Sequence, residues 1–220
     1  TRTTRRTNTA MEYRRNRHYV PIKENGDAMP QPNPSAMDFL LTRRSRPAKT
    51  LTTPVPDRAG LIPLLTAAAR TPDHGKLEPW RFIVLEKAAL ERLSRLVVTR
   101  GEAMEMDPDR ITKAHDQFAD ADLAVAVISS PKPSEKIPQI EQIYSAGAVC
   151  LALLNAALAS GWGANWLSSW ASHDRDFVHE GLGLEAHEHV AGFIHIGTET
   201  RDPPERPRPN LDEITSWQAE

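Results

Sequence analysis

The chain has 220 residues, of which 40% are hydrophobic and 25% charged, the composition of an ordinary globular domain. Its net charge of −2 gives no electrostatic reason to expect binding to nucleic acid or to a membrane surface. Cys150 is the single cysteine, which excludes an intrachain disulfide and a thiolate-based zinc site within one chain. We therefore expect a protein of a reducing compartment, the cytoplasm, with no membrane-spanning segment.

The first 36 residues differ from the rest of the chain. They carry seven Lys and Arg against three acids, and they are rich in Thr, Asn and Pro with no apolar period. This composition predicts a disordered basic tail or an upstream extension over residues 1–36. It lacks the apolar core of a secretory signal. Residues 37–220 are predicted to form one domain with an extended C-terminal arm.

From Ala36 onward, the first half of the chain alternates helical and strand patterns. Asp57 is a predicted N-cap, and Pro63 is expected to kink the helix that follows or to displace its start. In chain order, the predicted elements are a helix at MDFLLTRR, a helix in PVPDRAGLIPLLTAAAR, a strand at RFIVLE, helices at KAALERLSRLVVTR and PDRITKAHDQFAD, and a central strand at LAVAVISS.

The second half begins with the longest helical pattern, which runs from Ile140 to Leu158 and contains the small residues Ala146, Gly147 and Ala148 in succession. After it, the sequence predicts a turn and strand at GWGANWLSS, a helix at DRDFVHEGLG, a strand at HVAGFIHIGT and an extended Pro-rich arm at DPPERPRPNLDEI. Helices and strands intermix without strict βαβ alternation, which predicts an α+β layered fold.

Several common sites are not indicated. The chain has no G-x-S-x-G and no Walker A sequence, and GWGANW holds two glycines of a dinucleotide fingerprint but leads into a strand. The spacing of one group of acids and histidines suits a solvated turn better than a metal site, and we predict no metal there: Glu185, His187, Glu188 and His189.

Three segments remain that carry chemistry. They are Arg43-Arg44-Ser45, the stretch from Arg70 to Trp80, and Arg206-Pro-Arg208-Pro. Arginine binds phosphate bidentately, and prolines keep an arm extended, so these segments indicate an anion site. Each also has a plain interpretation as a solvated charged surface. The residues themselves lead to a phosphorylated ligand bound by an α+β domain.

The order of the motifs is more specific than any one of them. R-R-S-R, R-x-P-D-H-x-x-x-x-P-W-x-F-I-V, S-A-G-A, G-x-G-x-x-W-x-S, G-F-x-x-I-G-T and R-P-R-P together resemble the FMN-dependent nitroreductase family, in particular its small branch with a P-D-H motif. The resemblance extends from about Met37 to the C-terminus. It implies a homodimer with a mixed, largely antiparallel sheet wrapped by helices and with FMN at the interface. It also implies two-electron, ping-pong transfer from NAD(P)H to a nitroaromatic, quinone or similar acceptor, with the flavin and no catalytic side chain carrying the chemistry.

The resemblance also implies cofactor-binding residues. They are Arg43, Arg44 and Ser45 at the FMN phosphate and ribityl chain, Arg70 and His74 at the flavin of the partner chain, Trp166, Leu167 and Ser168 along the isoalloxazine ring, and Arg206 and Arg208 over the phosphate. The helix with Ala146–Ala148 would form the dimer interface.

The sequence departs from the family pattern at three positions. Leu167 stands where the family often has Arg, Trp170 adds a bulky ring, and Glu78 stands where an amide is common. These departures leave alternatives open: other flavin chemistry of the same family (dehalogenation, ene reduction, or consumption of the flavin), or a non-catalytic flavin-binding or interaction protein. The sequence does not choose between NADH and NADPH.

Overall fold

A computed structural model describes residues 31–219, and its contacts divide the chain into two units, 1–38 and 39–220. In the first unit, the Asn33 side chain accepts a hydrogen bond from the N–H of Ala36. Helix α1 (Pro34–Thr42) starts three residues before Met37, inside the segment that the sequence assigns to a tail. The remainder of that predicted tail, residues 1–30, lies outside the described residues.

The second unit alternates short strands with helices. In chain order the elements are β1 (Leu51–Thr52), α2 (Arg58–Ala68), β2 (Trp80–Glu86), α3 (Lys87–Ala103), α4 (Pro108–Ala119), β3 (Leu123–Ser129), α5 (Gln139–Ala159), β4 (Gly163–Leu167), α6 (Arg175–Leu182), β5 (His189–Glu199) and α7 (Leu211–Ile214). Single 3-10 turns occur at Ala48–Thr50, His74–Lys76 and Trp170–Ser172. Each strand and helix predicted from the sequence is present.

The strands form one sheet in the order β1-β5-β3-β2, and β4 also pairs with β5. Every pairing among the described residues is antiparallel. The predicted α+β fold with a largely antiparallel sheet covered by helices is confirmed. β3 is buried along its whole length, as its apolar sequence predicts for a central strand.

Helix α2 shows how a local cap outweighs an unfavourable residue. The Asp57 side chain accepts from the N–H of Gly60, which confirms the predicted N-cap. The helix nevertheless starts at Arg58, directly after that cap, and is continuous through Pro63 to Ala68. The proline therefore neither ends the helix nor displaces its start.

Helices cover both faces of the sheet, and each face has its own hydrophobic core. On one face α5 and α2 pack against β3 and β5, and on the other α3, α4 and α6 pack against β2, β3 and β5. Cys150 lies fully buried in the first core, and burial raises the pKa of its thiol to about 12. This confirms Cys150 as a small buried hydrophobe. Among the described helices, only α5 is long and apolar enough to cross a membrane, and part of it is buried in this core, as in soluble proteins whose core helices pass the same test.

Candidate functional site

The R-R-S-R segment follows α1 and runs beside β4. The N–H of Arg46 donates to the carbonyl of Ala164 at 2.8 Å, which attaches this segment to the strand. The Arg46 guanidinium lies 2.7 Å from a carboxylate oxygen of Glu199 and 3.2 Å from one of Asp202. Arg46 is therefore neutralised by carboxylates of the chain itself.

Arg43 has a different environment from Arg46. Its guanidinium donates to the hydroxyl of Ser45 at 3.1 Å, and its Nε is buried with no hydrogen-bond partner among the described residues. The pKa of Arg43 is lowered from its usual value by burial first, then by the charges of Arg208 and Arg44. We call Arg43, Arg44 and Arg208 the arginine cluster. Three cations lie close together here, and the Nε atoms of Arg43 and Arg44 are both buried without a hydrogen-bond partner among the described residues, an environment that favours an anion.

The C-terminal arm, residues 202–214, supplies part of this cluster. Arg44 donates to the carbonyl of Pro204 at 2.6 Å. The carboxylate of Glu205 accepts from Arg208 Nη2 at 2.8 Å and from the N–H of Arg206 at 3.0 Å, and it lies 3.8 Å from Arg44 Nε. The arm therefore brings Arg208 to Arg44, and Arg206 takes part through its main-chain N–H.

Beside the cluster lies a cavity of about 270 Å³. Its walls include Arg43 and Arg44, the ion pair of Arg46 and Glu199, and residues at the end of α5: Leu158, Gly161 and Trp162. The guanidiniums thus face a recess that an anionic group can enter, which makes an ion contact stronger than at an open surface.

Trp166 is held at the surface of the sheet beside β5. Its side chain remains 38% exposed, and the indole N–H donates to the carbonyl of Ala191 at 3.3 Å. The ring lies directly over Gly192, where any side chain would overlap it. Gly192 therefore allows the indole to lie flat on the strand and to present a fixed apolar surface.

Leu167 and Ser168 line a second and larger cavity, of about 440 Å³, between the end of β4 and helix α4. Gln117 Nε2 and both ring nitrogens of His195 border this region and are buried without a hydrogen-bond partner among the described residues. Burial lowers the pKa of His195 to about 4, so its ring is neutral and offers one donor and one acceptor. Trp170 closes one side, with its indole N–H donating to the carbonyl of Arg110 at 3.3 Å.

Sequence reasoning missed Gln117 and His195. His195 is the polar residue inside the apolar strand HVAGFIHIGT, and this break in the pattern is a signal that could have identified it. Gln117 lies on the amphipathic helix α4 among other polar residues, and nothing local distinguishes it.

The stretch from Arg70 to Trp80 is attached to α5 by a chain of hydrogen bonds. The indole N–H of Trp80 donates to the hydroxyl of Ser145 at 3.1 Å, and this hydroxyl donates to the carbonyl of Pro72 at 2.9 Å. His74 Nδ1 lies 2.6 Å from a carboxylate oxygen of Glu141 in the first turn of α5. The P-D-H and S-A-G-A motifs are therefore parts of one local structure, and Arg70 and His74 remain exposed on its surface.

The backbone of this stretch is tightly constrained. Gly75 has φ +76°, and a side chain there would overlap Ile137. Glu78 has φ +48°, a left-handed conformation that is unfavourable for a residue with a side chain. The exposed Glu78 carboxylate has no ion-pair partner among the described residues.

The predicted solvated turn at residues 185–189 is wrong for Glu188. Its side chain is buried and forms two hydrogen bonds of 2.7 Å with the Arg81 guanidinium, and it also accepts from the N–H of Glu185. The bond to Arg81 is the largest cause that lowers the pKa of Glu188 to about 2. Within residues 31–219, no three His, Cys, Asp or Glu side chains come together as metal ligands.

Helix α5 presents an exposed apolar stripe. Ile140, Ile143, Tyr144 and Leu151 are each at least 39% exposed. The three small residues of this helix differ from one another: Ala146 is buried in the core, Ala148 is exposed, and the space beside Gly147 is open. Of the three small residues on the helix predicted to form the dimer interface, Ala146 is therefore not accessible to a partner chain.

The fold and this geometry define a helix-covered antiparallel α+β protein with a cluster of arginines beside one cavity and buried polar groups at another. The model of the Nitroreductase family matches residues 40–198, and the chain belongs to this family of oxidoreductases. It is 34% identical over 163 residues to the Escherichia coli K12 protein named "Putative NAD(P)H nitroreductase YdjA", an alignment that covers 74% of this chain and 87% of the relative.

Two solved structures have the same fold. A nitroreductase-like family protein from Bacillus cereus superposes with a TM-score of 0.71 and 23% identity, over 88% of this chain and 100% of the other. A Desulfovibrio desulfuricans protein, described as a "putative nitroreductase in complex with fmn", superposes with a TM-score of 0.65 and 19% identity, over 86% and 98%. These two structures confirm the fold, and the family model with the E. coli relative confirms the family resemblance seen in the sequence.

Proposed function

We propose that this protein is an FMN-dependent oxidoreductase that takes two electrons from NAD(P)H and delivers them to a nitroaromatic, a quinone or a similar acceptor. The observation that carries the proposal is the arginine cluster, in which the half-buried Arg43 lies beside two further guanidiniums and has a buried Nε without a hydrogen-bond partner among the described residues. A phosphate monoester supplies the charge and the acceptor oxygens that this environment lacks.

In this proposal the cluster takes the phosphate end of FMN and the larger cavity takes its ring. Arg43, Arg44 and Arg208 would hold the phosphate, with Ser45 beside them at the ribityl chain. Leu167 and Ser168 line the larger cavity, which would receive the flavin ring. Trp166 offers a flat apolar surface nearby on the same strand. The name of the E. coli relative and the FMN complex of the structural neighbour support this assignment.

When bound, FMN supplies the redox chemistry, because its ring accepts a hydride from a nicotinamide and passes the electrons on. The chain's own residues then bind, orient and partly enclose the cofactor. The family's ping-pong scheme, in which the nicotinamide leaves before the acceptor enters, is part of this proposal. The ping-pong scheme requires no side-chain acid or base.

We further propose that the protein is a cytoplasmic homodimer whose interface contains the exposed stripe of α5. Four large apolar side chains on one helix face, next to the open space at Gly147, form a surface that a second copy can cover. The exposed Arg70 and His74 would then face the flavin site of the partner. Sedimentation at micromolar concentration should show an FMN-loaded dimer, and an FMN-loaded monomer would contradict this part of the proposal.

The proposed activity is tested by anaerobic flavin reduction. Purified protein loaded with FMN is mixed with NADH or NADPH under exclusion of air, and absorbance near the flavin band is followed. We expect bleaching by at least one nucleotide and return of the colour when a nitroarene or a quinone is added.

Two other outcomes separate the alternatives. FMN-loaded protein that neither nucleotide bleaches would favour the non-catalytic flavin-binding protein. Bleached protein that reoxidises with a halogenated or unsaturated acceptor, but with no nitroarene or quinone, would favour the other chemistries of the family. Protein that neither takes up FMN nor is stabilised by it would overturn the flavin proposal.

A further inference from the structure

Glu205 occupies an unusual position for an acidic residue. It lies on the C-terminal arm, and its carboxylate contacts two members of the arginine cluster, Arg208 at 2.8 Å and Arg44 at 3.8 Å. It also accepts the N–H of Arg206. The carboxylate therefore occupies guanidinium N–H groups of Arg44 and Arg208 that could otherwise bind a phosphate.

Two neighbouring acids have another ion-pair partner, although one of them, Glu199, also lines the recess beside Arg43 and Arg44. Glu199 and Asp202 are paired with Arg46. Among the described residues, Glu205 is the carboxylate that forms ion pairs with the arginine cluster, and it is 66% exposed. An exposed ion pair contributes little to stability, so holding the arm in place does not by itself account for a carboxylate in an anion site.

We propose that Glu205 sets the charge selectivity of this anion site. Its carboxylate competes with an incoming anion for Arg44 and Arg208, and its charge opposes each anion in proportion to the charge which that anion carries. The site is thereby tuned to a single phosphate monoester and disfavours more highly charged ligands such as a pyrophosphate. The inference rests on the proposed function in one respect: the phosphate monoester is taken to be that of FMN.

An effect on affinity that grows with ligand charge distinguishes this inference from a role of Glu205 in positioning Arg208 alone. Removing one negative charge several ångströms away should strengthen binding by about two- to threefold for each unit of ligand charge in a water-like dielectric. Glu205→Gln should then leave riboflavin affinity unchanged, strengthen FMN binding several-fold, and strengthen pyrophosphate binding more than FMN binding. A residue that only positions Arg208 would, when replaced, weaken every anion together.

The experiment measures four ligands on the full chain. FMN and riboflavin affinities are measured by flavin fluorescence, and inorganic phosphate and pyrophosphate are titrated directly by calorimetry, for the wild type, Glu205→Gln and a control, Glu180→Gln. Glu180 is an exposed carboxylate on α6. The control should leave all four affinities unchanged. Glutamine keeps an acceptor oxygen for Arg208, and the exposed position gives no reason to expect misfolding.

The outcomes separate this inference from the proposed function. A gain for Glu205→Gln that rises with ligand charge supports it. If FMN binds the wild type and the variant binds anions equally or more weakly, the selectivity role is overturned and the proposed function stands. If no flavin binds either protein, the flavin proposal fails, and phosphate and pyrophosphate still test the selectivity role. That role is overturned if neither inorganic anion binds, or if the gain in affinity for Glu205→Gln does not rise with the charge of the anion.

Discussion

The arginines of this protein fall into two regions with opposite electrostatics. On the face covered by α3 and α6, Arg81 is paired with the buried Glu188, and Arg100 lies 3.0 Å from Asp174 and 2.6 Å from Asp176. At the arginine cluster, the exposed carboxylate of Glu205 contacts Arg44 and Arg208, while Arg43 donates to the hydroxyl of Ser45. The first region uses charge to hold the fold together, and we propose that the second keeps charge available for a ligand.

The largest expected effect is on the cluster. Arg43→Ala should weaken FMN binding by about 1.5–3 kcal/mol, because it removes a charge-assisted hydrogen bond to the phosphate. The measurement is FMN affinity by fluorescence titration, with Arg95→Ala on the exposed face of α3 as the matched control. Unchanged FMN affinity in Arg43→Ala would show that the phosphate lies elsewhere.

The next largest effect is expected at the ion pair of Arg81 and Glu188. Glu188→Gln should lower the free energy of unfolding at neutral pH by about 2 kcal/mol, between the values of exposed and buried pairs, since Arg81 is 41% exposed and Glu188 is buried. Chemical unfolding measures this directly. FMN affinity should not change, and a variant that loses FMN without losing stability would break the distinction between the two regions.

The same pair predicts a pH dependence. The pKa of Glu188 is about 2 in the folded protein and near 4.5 in the unfolded chain, so its contribution is fully present above about pH 4.5 and is lost as the pH falls toward 2. Unfolding measured across this range should be steeper with pH for the wild type than for Glu188→Gln. Parallel profiles would contradict the stabilising role of the pair.

A smaller effect is expected at Arg46, which shares a motif with Arg43 but is paired with Glu199 and Asp202. Arg46→Gln should reduce the free energy of unfolding by about 1 kcal/mol or less, as for exposed pairs. Its FMN affinity should fall less than that of Arg43→Ala, and thermal unfolding with and without FMN measures both quantities. An equal or greater loss of FMN would place Arg46 in the anion site.

The smallest effect is expected at the exposed pair of His74 and Glu141, 2.6 Å apart. Glu141→Gln should change the free energy of unfolding by less than about 1 kcal/mol, because solvent screens this pair. Urea unfolding measures the change, and a loss of several kcal/mol would show that exposed pairs in this protein are structural too.

Much of the fold could be predicted because its signals are local. The strand at LAVAVISS is apolar throughout, Asp57 stands directly before a helical pattern, and Gly183 ends α6 in a left-handed conformation. Periodicity and caps act over a few residues, and the sequence shows them directly. Pro63 does not displace the start of α2, because the cost of one missing N–H is local, whereas the packing of Leu61 and Leu64 in the core that favours the helix is not.

The site was predictable only in part. The segments with Arg43, Arg208 and Leu167 were found by motif, but their different environments were not. Whether an arginine is neutralised depends on carboxylates far away in the chain, such as Glu188 for Arg81, 107 residues apart. The turn at residues 185–189 was misread for the same reason: its carboxylate finds a partner on another strand.

The sequence by itself determined the helices and strands, the α+β class and the resemblance to the nitroreductase family, since periodicity, capping and motif order are properties of neighbouring residues. The tertiary structure decided which charges are satisfied: it joined Trp80 and Pro72 through Ser145, buried His195 without a partner, and left the arginine cluster with Glu205 alone among the described carboxylates. Electrostatic pairing acts through space, and only the folded chain brings those groups within reach of one another.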